Sequence, residues 1–419
     1  LSHDNLTFTC KSGRSLTEDK VKDRARIVSY LPLSHIAGQV FDIITSIEKR
    51  FIVYFARPDA LQGSLLETLL YVRPEIFFAV PRVYEKFEER IRQGIKEASF
   101  LRQRIARFAR RQGHKYIENQ MSGKGGTPLM YPLANFLMFK KLKNALGLDQ
   151  CEIFAYGAAP MKRKTFQFFK SISILIQNMY GLSESSGPAF ANYNSDPFTV
   201  GKPIPGTQGK IMNKDSDGVG EICFRGRHRF MGYWKNEEAT KEAIDEKGYL
   251  HSGDQGHLNK EGNLIITGRL KEIIVTAGGE NVAPLPIEDA FKEVCKLCSH
   301  IIVIGDYRKY LSAFITLKTD FEGRFIKEVQ EDLKEIGTDA VNIIEAINCP
   351  KVKTYIEKCL DEVNKKSVSR AQLIKKYKIL THDFSVETGE FTPTLKLKRK
   401  FVTQKYTKEI EQMYLEPKF

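Results

Sequence analysis

The stretch Cys151-Glu152-Ile153-Phe154-Ala155-Tyr156-Gly157-Ala158-Ala159-Pro160 decides the fold class. Its apolar first half reads as a strand, and Gly157–Pro160 as a turn that opens a helix through about Lys170. The apolar run Ile172–Ile176 then reads as a second strand. Strand, turn, helix and strand in that order describe a parallel pair with a helical crossover. The same rhythm runs upstream. Ala25–Leu33 reads as a strand that turns at Pro32-Leu33-Ser34-His35 into an apolar helix, and Phe51–Phe55 as a short strand. Glu75–Val80 is a third, stopped by Pro81 and followed by a long amphipathic helix from Val83 to Ile117 with a break. After about Asp196 the style changes to short alternating strands, such as Gly220–Phe224 and Leu264–Thr267, between frequent turns. That pattern suits an antiparallel, barrel-like region. After Leu270, strands Ile301–Ile304 and Ala313–Leu317 alternate with helices Ile287–Leu297 and Val352–Lys365. The expected fold is α/β: a large domain over residues 1–269 with parallel sheets and a distorted β-barrel, then a small α+β domain over residues 270–419.

A length of 419 residues suits two or three domains, and 42% hydrophobic with 28% charged residues is the composition of a folded chain. The formal charge of +14 favours anionic partners. Much of it lies in Arg102–Lys115 and Asn364–Lys378. The first of these reads as a solvated helix face, with a membrane-surface helix as the alternative. No nucleic-acid module is visible. Cys295 and Cys298 form a C-x-x-C without a second pair at zinc spacing, so reduced thiols are favoured over a metal site. The apolar runs are too short to span a bilayer, and Leu1–Asp4 lacks the features of a signal peptide. The chain does not begin with Met and reads as a piece of a longer protein.

The chemistry concentrates after Ile176. Gln177-Asn178-Met179-Tyr180-Gly181-Leu182-Ser183-Glu184-Ser185-Ser186 is read as a loop at the carboxyl end of a strand, where open α/β sheets bind ligands. It offers a ring to stack, a glycine for close approach, a hydroxyl for a phosphate and a carboxylate for Mg²⁺. The plainer reading is an ordinary polar loop. A hydrolase nucleophile elbow is disfavoured, because Gly181-Leu182-Ser183-Glu184-Ser185 lacks its last glycine. Further on, Asp254 in Gly248–Asp254 could accept ribose hydroxyls, with Arg269 of Thr267–Glu272 nearby in sequence, against the plainer reading of a turn and a hairpin end.

These residues resemble the adenylate-forming superfamily of acyl-CoA synthetases, adenylation domains and luciferases. Gly157–Pro160 resembles its adenine-side loop, Tyr180–Glu184 its aromatic–Gly–x–Thr/Ser–Glu signature, and Tyr249–Asp254 its aspartate signature. Gly268–Lys271 resembles its hinge, and Thr392–Arg399 its C-terminal lysine signature. Within the superfamily, Thr276–Glu288, Arg229–Tyr233 and Leu31–Gln39 resemble the bubblegum-type long-chain acyl-CoA synthetases.

The resemblance implies fatty acid activation: ATP and the acid give acyl-AMP and pyrophosphate, and CoA then displaces AMP. It implies fatty acid, ATP and CoA as substrates, with Mg²⁺. It assigns Mg²⁺ to Glu184, the α-phosphate to Ser183, adenine to Tyr180, Gly181 and Gly157–Ala159, and ribose to Asp254 with Arg269. Lys396 would stabilise charge on the transferring phosphate, and Lys271 would be the hinge of a small domain that swings between half-reactions. Gly278 and Gly279 would line the pantetheine tunnel. Tyr84 stands where such synthetases usually carry a gate Trp, and His35 near the acyl–phosphate junction. By the resemblance, the superfamily's Ser/Thr/Gly-rich phosphate loop would lie just before Leu1–Asn5. No G-x-x-x-x-G-K-[ST] or G-x-G-x-x-G replaces it, and Ser122–Thr127 reads as a plain Gly-rich loop. The implied setting is cytoplasmic, peripheral on the endoplasmic reticulum or another intracellular membrane. Another acyl-adenylate ligase and an inactive acyl- or CoA-binding fragment stand as alternatives.

Overall fold

The computed structural model describes residues 1–17, 21, 23–123, 125–192, 199–319, 323–392 and 396–415. The described chain divides into two units, Leu1–Ile266 and Thr267–Phe419.

In the first unit, β1 (Arg26–Ser29) and β2 (Ile52–Phe55) pair in parallel. A five-stranded sheet runs in the order β3 (Ile76–Ala79), β4 (Ile153–Gly157), β5 (Ile176–Leu182), β6 (Gly187–Asn192), β7 (Lys202–Pro203). Its first three strands are parallel, and β6 and β7 turn antiparallel. Side chains alternate across the sheet. Ile76 and Ile153 pack with Ala25 and Ile27, whereas Phe77, Phe154 and Tyr156 join the larger core.

That larger core is closed by helices Pro81–Lys96, Phe100–Met121 and Arg163–Ser171, which contribute Tyr84, Phe87, Ala109 and Phe166. The long amphipathic helix breaks at Glu97–Ser99. The basic helix Phe100–Met121 buries a stripe of small residues, and a Cβ on its Gly113 would come 2.4 Å from Ser171 O. Close approach of two helices sets that glycine; Arg102, Arg104, Arg107 and Arg111 are exposed, whereas Arg110 turns inward and donates to Ser171 Oγ at 2.9 Å. No helix among the described residues is long and apolar enough to cross a membrane.

A four-stranded sheet follows, in the order β11 (Leu264–Arg269), β10 (Leu250–Leu258), β9 (Gly220–Arg225), β8 (Gln208–Met212). Strands β8, β9 and β10 pair antiparallel, and a bridge between Gly201 and Leu264 ties this sheet to the five-stranded one. Phe190, Ile222, Phe224, Leu250 and Leu264 fill the space beside them. The change of style near Asp196 lies outside the described residues.

Two readings shift. Ile172–Leu175 is a buried turn and not a strand: Ile174 N donates to Phe169 O, and Ser173 takes φ +62°. Burial makes an apolar turn look like a strand, and β5 begins only at Ile176. The segment read as a loop from Gln177 is therefore strand through Leu182, paired with β4 and β6 on its two sides, and only Ser183–Ser185 forms a tight turn.

In the second unit, β12 (Ile274–Val275) and β13 (Asn281–Val282) form a hairpin. The central sheet is β14 (Cys298–Ile304), β15 (Leu311–Leu317), β16 (Ile374–Ile379). Every residue of β15 is buried, because both faces are covered. Ala313 and Ile315 face helices Pro284–Val294 and Pro350–Asn364, whereas Phe314 faces helices Arg399–Lys405 and Thr407–Leu415. Cys295 and Cys298 are buried free thiols.

Candidate functional site

Within the first unit, Tyr180 and Asp254 meet. The Tyr180 hydroxyl donates to Asp254 Oδ2 at 2.6 Å, across 74 residues of sequence. Tyr180 stands on β5 with its ring against Phe190 and edge-on to Phe224. Asp254 is 5% exposed and follows an irregularity in the β9–β10 register between His251 and Gln255. Three contacts hold that irregularity. Glu221 Oε1 accepts from Gly253 N at 3.0 Å, Ser252 Oγ donates to Ile222 O at 2.6 Å, and Ser252 Oγ accepts from Asp254 N at 3.1 Å. Gly253 has φ +69°, a conformation cheap for glycine. A bulge re-aims a side chain, and here it turns Asp254 toward Tyr180.

The turn after β5 presents Ser183 to solvent and Glu184 half-buried. Ser185 secures it by accepting from Leu182 N and donating to Gly187 O. A Cβ on Gly181 would lie 1.9 Å from Gly187 O, so only glycine fits between the strands. Glu184 Oε1 accepts from the Tyr233 hydroxyl at 2.7 Å. Burial and the neighbouring carboxylate push Tyr233 up to about 12, so it stays a donor at neutral pH. Glu184 O also accepts from Phe230 N at 2.7 Å, which fixes the same segment through its backbone.

At the end of β4, Gly157 is buried and a Cβ there would meet Met179 O at 2.9 Å. Ala158 adopts φ +69°, which is unfavourable for an alanine, and Ala159 is exposed. The helix starts only at Arg163, and residues 158–162 form an irregular link in which Ala158 and Met161 pack on the large core and Lys162 pairs with Glu85 at 3.2 Å. Such strained turns at strand ends cluster at ligand sites.

Tyr84 and His35, the two residues expected on the acyl side, are held by partners other than Tyr180 and Asp254. Tyr84 is 1% exposed, and its hydroxyl donates to Phe77 O and Ala155 O at 3.3 and 3.1 Å. Its ring lies edge-on to Phe77 and Phe169. The ring is thus held in the core of the unit. His35 Nδ1 accepts from Ala37 N at 3.2 Å and caps the short helix Ile36–Gly38.

In the second unit, Arg269 ends β11 and Lys271 lies in the turn Leu270–Glu272, both exposed. Gly278 and Gly279 form the exposed tip of the β12–β13 hairpin, closed by Gly279 N to Thr276 O at 2.9 Å. Gly279 has φ +79°. Lys396 is half-buried in a loop pinned at both ends. Thr392 Oγ1 accepts from Lys396 N at 3.0 Å, and Thr392 N donates to Lys396 O at 2.8 Å. Pro393, Thr394 and Leu395 of the same signature lie outside the described residues.

Arg399 anchors the loop. Its guanidinium reaches both oxygens of Glu288 at 2.7 Å and donates to Val303 O at 3.1 Å. Glu288 is 3% exposed and also accepts from Val303 N. Glu390 provides a second anchor, accepting from Lys405 and Tyr406 with its carboxyl held down at about 2. Tyr233, Glu221 and Glu288 are the supporting residues that sequence reasoning missed. Tyr233 and Glu288 belong to runs valued only for likeness, and nothing in a sequence pairs Glu288 with a residue 111 positions away.

Residues 1–234 match the family described as AMP-binding enzyme, and residues 271–418 match the AMP-binding enzyme C-terminal domain. The chain belongs to the AMP-binding enzyme family. A Gallus gallus protein named long-chain-fatty-acid–CoA ligase ACSBG2 is 44% identical over 428 residues, which cover 99% of this chain and 56% of that protein. The Homo sapiens long-chain-fatty-acid–CoA ligase ACSBG1 is 41% identical over 433 residues, covering 100% of this chain and 59% of that protein. The chain thus spans 56% and 59% of the length of these relatives. The fold is shared with the adenylation domain of a Mycobacterium chelonae carboxylate reductase (TM-score 0.67, 20% identity, 97% of this chain and 57% of that one). It is shared also with ATP-bound MatB from Rhodopseudomonas palustris (TM-score 0.64, 18% identity, 97% and 64%).

Proposed function

We propose that the protein is an AMP-forming long-chain fatty acid–CoA ligase, and that the first unit carries the nucleotide side of its site. The observation that carries this reading is the Tyr180–Asp254 hydrogen bond, which joins the ring proposed for adenine to the carboxylate proposed for ribose. An adenosine spans those two groups, and Gly157–Ala159 and Gly181 supply backbone for its near wall. The 44% identity to a long-chain ligase favours a fatty acid as the acid, over other acyl-adenylate chemistry.

In the proposed reaction the fatty carboxylate attacks the α-phosphorus of ATP. The O–P bond to pyrophosphate breaks and acyl-AMP forms. The CoA sulfur then attacks the acyl carbon and AMP departs. The obstacle to the first step is the approach of two anions, so donors and cations must offset charge as it moves. Ser183 is exposed at the turn where it can donate to the α-phosphate. Glu184 is a hard oxygen ligand whose Oε1 is already oriented by Tyr233, a fit for Mg²⁺, which when bound neutralises phosphate charge. Lys396 is assigned to the transferring phosphate and Arg269 to the ribose. Lys271 is the hinge, with the domains meeting at residues 269–270, and Gly278–Gly279 form the pantetheine wall. Tyr84 occupies the gate position as a ring pinned by two strand carbonyls, and its release would need both bonds to break. His35 shapes the adjacent helix start.

We place the protein in the cytoplasm with peripheral contact to an intracellular membrane. Support comes from helix Phe100–Met121, which exposes Phe100 and Leu101 beside a series of arginines. The functional test is pyrophosphate release with ATP, Mg²⁺ and palmitate, from the 419-residue chain and from a form extended upstream. Release that needs both palmitate and ATP in either form is expected. Release indifferent to every fatty acid tried would remove the reading.

A further inference from the structure

Three side chains of different chemistry converge on one face of the antiparallel sheet, separate from Glu184. Glu221 and Cys223 are two apart on β9, so the pleat sends both to the same side, and His251 of β10 is the cross-strand partner of Cys223. His251 Nδ1 lies 2.7 Å from Glu221 Oε2 and 3.6 Å from Cys223 Sγ. One ligand atom from each residue lies within 4.8 Å of the other two. A tetrahedral zinc with bonds of about 2.3 Å to sulfur and about 2.0 Å to imidazole nitrogen holds those two donors about 3.6 Å apart. The sulfur–nitrogen pair already has that spacing. The oxygen–nitrogen contact would have to open to about 3.4 Å, a small rotation of one carboxylate.

The surroundings are built in the same sense. The Gly253 N–H holds Glu221 Oε1, leaving Oε2 turned to the ring. Asp245 Oδ2 lies 3.9 Å from His251 Nε2, the outer nitrogen, where metal-bound histidines commonly meet a carboxylate. Asp245 is itself fixed by Tyr249 N–H on Oδ1 at 2.7 Å. Cys223 is fully buried and His251 half-buried, so the triad is anchored on the sheet, with Lys210 of β8, the register partner of Cys223, on the same face and 4.0 Å from Asp245 Oδ2.

We propose that Glu221, Cys223 and His251 form a binding site for a zinc-class divalent cation, with water as the fourth ligand. The thiol of Cys223 releases its proton to solvent as the sulfur–metal bond forms. A thiolate–imidazole–carboxylate set selects zinc or cobalt over magnesium, which prefers oxygen alone. The ion would bridge β9 and β10 at the register shift that carries Asp254 and clamp that bulge.

The test is Co²⁺ titration of the purified chain, read by thiolate-to-cobalt charge-transfer absorption. One Co²⁺ per chain is expected, displaced by an equivalent of Zn²⁺ and indifferent to excess Mg²⁺. The band should vanish in Cys223→Ser and binding should weaken at least tenfold in His251→Gln. Because Cys223 is buried, circular dichroism checks that its variant folds, and the half-buried His251→Gln gives an independent reading if it does not. No thiolate band in the wild type, or a band undiminished in folded Cys223→Ser or in His251→Gln, overturns the proposal.

Discussion

The hydroxyl of Tyr180 and the carboxylate of Asp254 are joined by a 2.6 Å hydrogen bond that links strand β5 to the bulge in β10. It draws one oxygen of a buried carboxylate toward the ring. Tyr180→Phe keeps the ring and removes the bond. A hydrogen bond to a charged group contributes about 1.5–3 kcal/mol, so the KM for ATP should rise about tenfold or more, with a smaller effect on kcat. Asp254→Asn should be more severe. An unchanged KM for ATP in Tyr180→Phe would mean the pair does not order the nucleotide.

Tyr233 acts through Glu184. Losing its 2.7 Å bond frees the Glu184 carboxylate to rotate. In Tyr233→Phe the Mg²⁺ concentration for half-maximal rate should increase severalfold while the fatty-acid KM stays put. Glu184→Gln should lower the adenylation rate by roughly a hundredfold, a loss of about 2.7 kcal/mol of transition-state stabilisation. If Tyr233→Phe moves the acid KM and leaves the Mg²⁺ dependence alone, the positioning role is wrong.

One guanidinium nitrogen of Arg399 donates to both oxygens of the buried Glu288 carboxylate, and this largely buried pair anchors the segment that follows Lys396. Removing one partner of such a pair costs about 3–5 kcal/mol. Glu288→Gln should therefore lower the unfolding midpoint of the second unit and slow acyl-AMP formation. Lys396→Ala should slow acyl-AMP formation with little change in that midpoint. Thermal unfolding followed alongside single-turnover adenylation separates the two, and equal thermal losses in both variants would contradict the assignment.

His228 is buried at 0% exposure, stacked beside Phe8 and Phe224, and Nε2 has no hydrogen-bond partner among the described residues. Burial pushes it down to about 4 from 6.5. The unfolded chain takes up its proton near pH 6.5 and the folded chain only near pH 4, so stability falls as pH drops through that window. The contribution is about 3 kcal/mol at most. Asp42, raised to about 6 by burial, works in the opposite direction. The quantity to measure is therefore the difference in urea midpoint between wild type and His228→Gln from pH 7 to 4. It should shrink as pH falls, and a difference constant with pH would refute the account.

The parallel sheet is legible in the sequence because β3 and β4 are continuous apolar runs bounded by turn residues, as strands buried on both faces must be. Tyr180, Glu184 and Asp254 are legible as candidates because their residue types suit a nucleotide. Their support is not. Glu221 reaches Gly253 across 32 residues and Arg399 reaches Glu288 across 111, distances over which one sequence carries no pairing signal. The turn Ile172–Leu175 misleads for the opposite reason: Ile172, Ser173 and Ile174 are buried, and burial alone imitates a strand.

The most direct measurement of the central claim follows oxygen. Palmitate labelled with ¹⁸O in its carboxylate is turned over with ATP, Mg²⁺ and CoA by the 419-residue chain and by an upstream-extended form, and the AMP is weighed by mass spectrometry. Attack of the acid on the α-phosphorus followed by thiol displacement leaves one labelled oxygen in AMP. Label appearing in inorganic phosphate with ADP as product, or acyl-CoA formed with unlabelled AMP, would contradict an acyl-adenylate route.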